Sequence, residues 1–152
     1  MNVVNLMDTS VDDPRDARQR LEAEFHLTNW QLLVLRRGVL FSKVRTSFFS
    51  PSELTTQKQC FKNAILLCSY YPGSLYCEGY ATDPTLPIVF HHAWVVAEGE
   101  VIDPTWRQRS RCSYMGLLFP VDVAAGIFRT QGHYGLLENF GKREEDIGRV
   151  AL

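Results

Sequence analysis

The stretch FHHAWVVAEGEVIDPTW, residues 90–106, sets two adjacent histidines at the head of an apolar alternation that turns at Gly99 and returns to an aspartate. Upstream, TTQKQCFKNAILLCSYYPG carries Cys60 just where a helix is expected to begin. A thiol, an imidazole and a carboxylate are the parts of nucleophilic acyl transfer: the ring takes the thiol proton, and the carboxylate fixes the ring's tautomer and orientation. The plainer reading of the same residues is a satisfied His–Asp pair beside a core cysteine.

Strand parity discriminates between the histidines. With a two-residue turn at Glu98-Gly99, residue 97 opposes 100, 96 opposes 101, 95 opposes 102 and 94 opposes 103. His92 then shares a face with Asp103 on a diagonal that two side chains can close, whereas His91 points to the other face. One inserted residue would reverse that assignment. Cys60, in the first turn of its helix, would lie against unpaired backbone N–H groups and the positive end of the macrodipole, which favour thiolate and can hold an oxyanion. Cys68, two turns on along an apolar face, reads as core.

The elements that would position these groups follow from periodicity. TSVDDPRDARQRLEAEFHL begins with capping residues, has Pro14 at a first helical position, and spaces Ala17, Leu21 and Phe25 along one helical face. His26 closes that helix as a partner for its C-terminal dipole. NWQLLVLRRGVLFSKVR is read as a helix, with a helix followed by a strand as the alternative. Thr55 or Thr56 would cap the Cys60 helix, which Pro72-Gly73 ends. SLYCEGYAT and IVFHHAWVVAEGEVIDPTW are β-rich, PVDVAAGIFRTQ is a short helix behind Pro120, and the charged C-terminal residues are expected to be loosely held. Helices followed by an antiparallel sheet make an α+β pattern. A single unit over residues 1–152 is expected.

Composition excludes several classes. The 152 residues are 45% hydrophobic and 22% charged with a formal net charge of -1, and the basic residues are scattered, which argues against nucleic acid as a partner. MNVVNLMDTS lacks a basic segment followed by a long apolar one, and no apolar run approaches the ~20 residues that span a bilayer, so no membrane partner and a cytoplasmic location are expected. Cys60, Cys68, Cys77 and Cys112 form no CxxC pair; reduced thiols are expected, and no metal site.

In order along the chain, QCFKNA around Cys60, EGYA at Glu78 to Ala81, HAW at His92 to Trp94 and DPT at Asp103 to Thr105 resemble the core of the transglutaminase-like superfamily of papain-type thiol enzymes. The resemblance covers residues 57–106. It implies a papain-like α+β core with the nucleophile helix packed on a small antiparallel sheet. It also implies Cys60 as nucleophile, His92 as general base and then acid, Asp103 as orienter, and a protein or peptide substrate attacked at an amide or thioester-like carbonyl without a cofactor. Three departures bear on the substrate: the hairpin is shorter than usual, Val96 stands where an acidic residue is often found, and the Trp commonly found before the aspartate is absent.

The reading is a thiol hydrolase of amides, either a peptidase or a side-chain amidase or deamidase. A transglutaminase joining glutamine to an amine, and a binding module without turnover, are the alternatives. Gln57, one turn before Cys60, is the candidate side-chain donor to the oxyanion, beside the Cys60 backbone N–H. Trp94 and Trp106 either line the cleft or pack beneath the sheet. Glu78 and Tyr80 are candidates for selecting a polar substrate group, against the ordinary expectation of a solvated strand-end carboxylate. His133, in a Gly-flanked loop, reads as a surface residue.

Overall fold

The computed structural model describes residues 16–138 and 144–152. Helix α1, Ala17–Glu22, begins at a capping box in which Asp16 accepts from the Gln19 backbone and Gln19 reaches back to Asp16. Thr28 and Gln31 do the same for α2, Asn29–Arg37. Strand β1, Val39–Phe41, follows at once, so the segment read as a helix is a helix and then a strand. Gly38 marks the boundary: a Cβ there would fall on the Val34 carbonyl oxygen.

Helix α3, Cys60–Leu67, starts at Cys60 without a side-chain cap. Thr55 and Thr56, expected to cap it, instead donate to the carbonyls of Ser52 and Glu53 at 2.7 and 3.3 Å within the preceding 3₁₀ turn. Strands β2, Leu75–Thr82, and β3, Val89–Ala97, are followed by β4, Glu100–Ile102, and β5, Ser113–Phe119. Helices α4, Val121–Gln131, and α5, Glu144–Val150, complete the described elements.

The strands form one antiparallel sheet in the order β1-β5-β2-β3-β4. The chain is thus a mixed α+β fold. Pairing of Val95 with Ile102, Val96 with Val101 and Ala97 with Glu100 is the register expected for a two-residue turn. Glu98 and Gly99 sit at φ 54° and 76°, the left-handed pair that such a hairpin turn requires.

One sheet face carries Tyr76, Ala93, Val95, Met115, Leu117 and Phe119 into a core shared with Leu21, Val34, Ala64, Leu67 and Phe128 of the helices. The other carries Cys77, Ala81, Trp94, Val96 and Tyr114 against Phe41, Val44 and Trp106. At the sheet centre Gly79 faces Gly116. A Cβ on Gly79 would collide with the Met115 carbonyl oxygen and Gly116 Cα, so these two strands meet only because both positions lack a side chain.

Several terminal expectations are corrected. Pro14 lies outside the described residues. Helix α1 stops at Glu22, leaving Phe25 91% exposed and His26 edge-on to its ring at 4.5 Å, so neither belongs to the helix. Far from being loosely held, the C-terminal segment forms α5, buries Ile147 and is tied to α2 by Arg37, whose guanidinium donates to the Gly148 carbonyl. Among the described residues no helix is long and apolar enough to cross a membrane.

Candidate active site

His92 is held in the sheet with 2% of its surface exposed. Its Nε2 donates to Asp103 Oδ2 at 2.8 Å, and Asp103 is completely buried just past the end of β4. Tyr114 Oη donates to the same oxygen at 2.7 Å, while the backbone N–H groups of Thr105 and Trp106 donate to Oδ1 at 2.9 and 3.2 Å. Every acceptor position of the carboxylate that matters for its orientation is thereby used, and the ring is fixed through its Nε2.

The other ring nitrogen, Nδ1, is not engaged by Asp103, and the Cys60 thiol lies beside the ring in the same cleft. Burial disfavours a charged ring, but the charge and hydrogen bond of Asp103, with a smaller contribution from the neighbouring Cys60, outweigh it and raise the His92 pKa above its ordinary value of 6.5. Asp103 moves oppositely: burial works against the carboxylate, yet the charge and hydrogen bond of His92, with the donors from Tyr114 and Thr105, hold it below the usual range. Trp106 covers the imidazole at 4.2 Å, inclined by 22°.

The thiols divide by environment. Burial pushes Cys68 to about 11 and Cys112 to about 12, and raises fully buried Cys77 well above 9.0. Of the four, Cys60 opens an α-helix and lies in the cleft beside the carboxylate-held His92.

A cleft of about 730 Å³ opens over these groups, lined by Cys60, His92, Gln57, Thr105, Trp106 and, on its flanks, Phe61 and Phe90. Gln57 precedes the helix, which starts at Cys60, so the two share no helical face; its Nε2 donates to the Thr105 carbonyl at 2.6 Å, and it still reaches the cleft beside Cys60. Asn63, buried in α3, donates to the Thr56 carbonyl at 2.9 Å and to Thr105 Oγ1 at 3.0 Å. The helix start and the DPT segment are therefore joined through Thr105.

The three residues read as substrate-binding, Trp94, Glu78 and Tyr80, do not line the cleft. Trp94 is fully buried among Phe41, His92 and Tyr114. Glu78 is not a solvated strand-end carboxylate but completely buried, accepting from Tyr76 Oη at 2.6 Å, His91 Nε2 at 2.8 Å and the N–H groups of Leu136 and Leu137 at 2.8 Å. Tyr80 is 2% exposed and donates to Glu138 at 2.5 Å. His91 thus faces the opposite side from His92, as parity requires, with its Nδ1 3.3 Å from Glu138. His133 borders a separate groove between α3 and α4.

Tyr114, Asn63 and Thr105 went unassigned in the sequence. Thr105 lies inside the DPT motif, and Asn63 follows Cys60 by nearly one helical turn, but Tyr114 belongs to a strand whose pairing no local pattern announces. Among the described residues no group of three or more His, Cys, Asp or Glu side chains is disposed to hold a metal ion. Family models, curated proteins and solved structures give no match to this chain.

Proposed function

We propose that the protein is a thiol hydrolase of transglutaminase-like type that cleaves amide bonds through Cys60, His92 and Asp103. The observation that carries this reading is a buried imidazole whose Nε2 is held by Asp103 and beside which Cys60, the first residue of α3, lines the same open cleft. A structural His–Asp pair has no need of a thiol beside it in an open cleft.

In the proposed reaction the Cys60 proton passes to His92 Nδ1, and the sulfur attacks the substrate carbonyl carbon. The carbonyl oxygen becomes an oxyanion, received by the backbone N–H groups of the uncapped first turn of α3 and by Gln57. His92 then gives its proton to the departing amine, leaving an acyl-enzyme. Water, losing a proton to the same ring, releases the acid and restores the thiol. Asp103 keeps Nε2 as the donor throughout, so Nδ1 always faces the reacting groups.

Iodoacetamide labelling of the folded chain across pH, mapped by mass spectrometry, tests the reading on wild type and His92→Ala. Selective labelling of Cys60 near neutral pH that slows at least tenfold without His92 supports it. If Cys60 labels no faster than Cys68, Cys77 or Cys112 and His92→Ala changes nothing, the reading is lost. Ammonia release from glutamine-containing peptides then separates a side-chain amidase from a peptidase.

A further inference from the structure

We infer, resting on that thiol reading, that the cleft selects peptide-like amides presenting a large apolar side chain beside a carboxylate. The apolar half of the argument is the wall flanking Cys60. Phe61, Phe90, Trp106 and Leu86 all line the cleft. Phe90 meets Trp106 edge-on at 5.7 Å and 90°, and Phe61 packs on the His91 ring at 4.7 Å, so the aromatic rings are braced in place rather than free to collapse into the opening. Leu86, on the turn between β2 and β3, keeps 43% of its surface exposed at that edge. An apolar group entering here removes both its own surface and this wall from water.

The charged half is an imbalance among the lining residues. Lys58 and Arg107 border the cleft, are exposed, and have no ion-pair partner among the described residues. Asp83 is the one lining carboxylate; the Thr85 N–H and hydroxyl, at 2.8 and 2.7 Å from its Oδ1, orient it without neutralising it, so Lys58 and Arg107 outnumber it by one charge. Lys58 is set by a left-handed backbone, φ 66°, two residues before Cys60, so its position at the cleft is imposed by the loop and not by the helix that follows. Two exposed cations against a single carboxylate, beside a braced aromatic wall, fit an anionic group joined to an apolar one. They disfavour a cationic peptide.

Four alkylating probes on the full chain test this, each rate at Cys60 being divided by the same probe's rate with glutathione. They are iodoacetamide, N-benzyl iodoacetamide, iodoacetylglycine and iodoacetyl-phenylalanine, which add neither group, the ring, the carboxylate, or both. In each case the thiol proton goes to His92, sulfur bonds to the methylene carbon and iodide leaves. The expected result is a normalised rate for iodoacetyl-phenylalanine about tenfold above iodoacetamide and above either single-group probe. High salt, and the double substitution Lys58→Gln with Arg107→Gln, should remove the advantage conferred by the carboxylate. Equal normalised rates for all four probes, with His92-dependent labelling intact, would overturn the selectivity while leaving the thiol reading standing. Failure of every probe to label Cys60 selectively would overturn both.

Discussion

Asn63 Nδ2 donates to Thr105 Oγ1 at 3.0 Å, joining side chains 42 residues apart, both buried. Asn63 lies in the helix that begins with Cys60, and the Thr105 backbone N–H donates to Asp103. The bond therefore couples the height of the nucleophile helix to the carboxylate that orients His92. Thr105→Val keeps the shape of the side chain but removes the acceptor. Unfolding free energy should fall by roughly 1–2 kcal/mol, read by urea titration, and Cys60 alkylation should slow several-fold at a pH where the variant remains folded. Lost stability with unaltered alkylation would mean that the link supports the fold without positioning the site.

What the sequence made legible was local. A two-residue turn fixes register, so Glu98-Gly99 was enough to put His92 and Asp103 on one face. The start of α3 could be placed near Cys60 because apolar spacing and Pro72-Gly73 bound it. What stayed hidden was nonlocal. SYMGLLF shows little alternation, and β5 is defined by pairing with β1 and β2 on its two sides. Without that pairing Tyr114 cannot be placed on Asp103. Glu78 looked solvated because the donors that neutralise its burial, the N–H groups of Leu136 and Leu137, arrive from 58 and 59 residues away. Phe25 shows the converse failure, an apolar residue at helical spacing beyond the point where the helix ends.

Tyr114→Phe should expose how much the third partner of Asp103 contributes. The hydroxyl donates to Oδ2 at 2.7 Å between two fully buried side chains, so its removal should cost about 1.5–3 kcal/mol at neutral pH. The pKa of Asp103 is depressed in the folded protein, so stabilisation of its carboxylate is present above the ordinary carboxylate range and lost as pH falls through the folded value. The gap between wild type and variant should accordingly be widest near neutrality and narrow in acid. A gap independent of pH would assign the loss to packing instead.

Two glycines make contrasting predictions. Gly79→Ala puts a Cβ into the β5 backbone at the sheet centre, where no flexible side chain can yield, and should destabilise by about 3 kcal/mol or more. Gly99 has the left-handed φ of 76° but nothing within 4 Å of an added Cβ, so Gly99→Asn should cost under about 1 kcal/mol. Chemical denaturation of the two variants checks the ranking. Similar losses in both would show that β2 and β5 can separate without breaking the sheet.

His91 should make the protein less stable as pH rises above neutrality. Burial disfavours its charged ring, but the hydrogen bonds and charges of Glu138 and Glu78 prevail and raise its pKa from 6.5 to about 9. Tyr80 also lies against the ring, at 5.8 Å, and shares Glu138 through its hydroxyl. A folded pKa above the unfolded one contributes stability that is complete below pH 6.5 and lost as pH climbs through about 9. His92, raised by Asp103, adds a loss of the same sign, so the wild-type slope is a sum. His91→Gln should therefore flatten the decline without abolishing it, removing roughly 3 kcal/mol of pH-dependent stability, while lowering stability at pH 6 because Glu78 and Glu138 lose their shared cation. Hydrogen exchange supplies the local reading: the amides of Leu136 and Leu137, held by Glu78, should lose protection in wild type as His91 deprotonates. Unchanged protection across that pH range, together with a variant slope matching wild type, would mean that His91 carries no charge in the network and that the 136–138 segment is held by Glu78 alone.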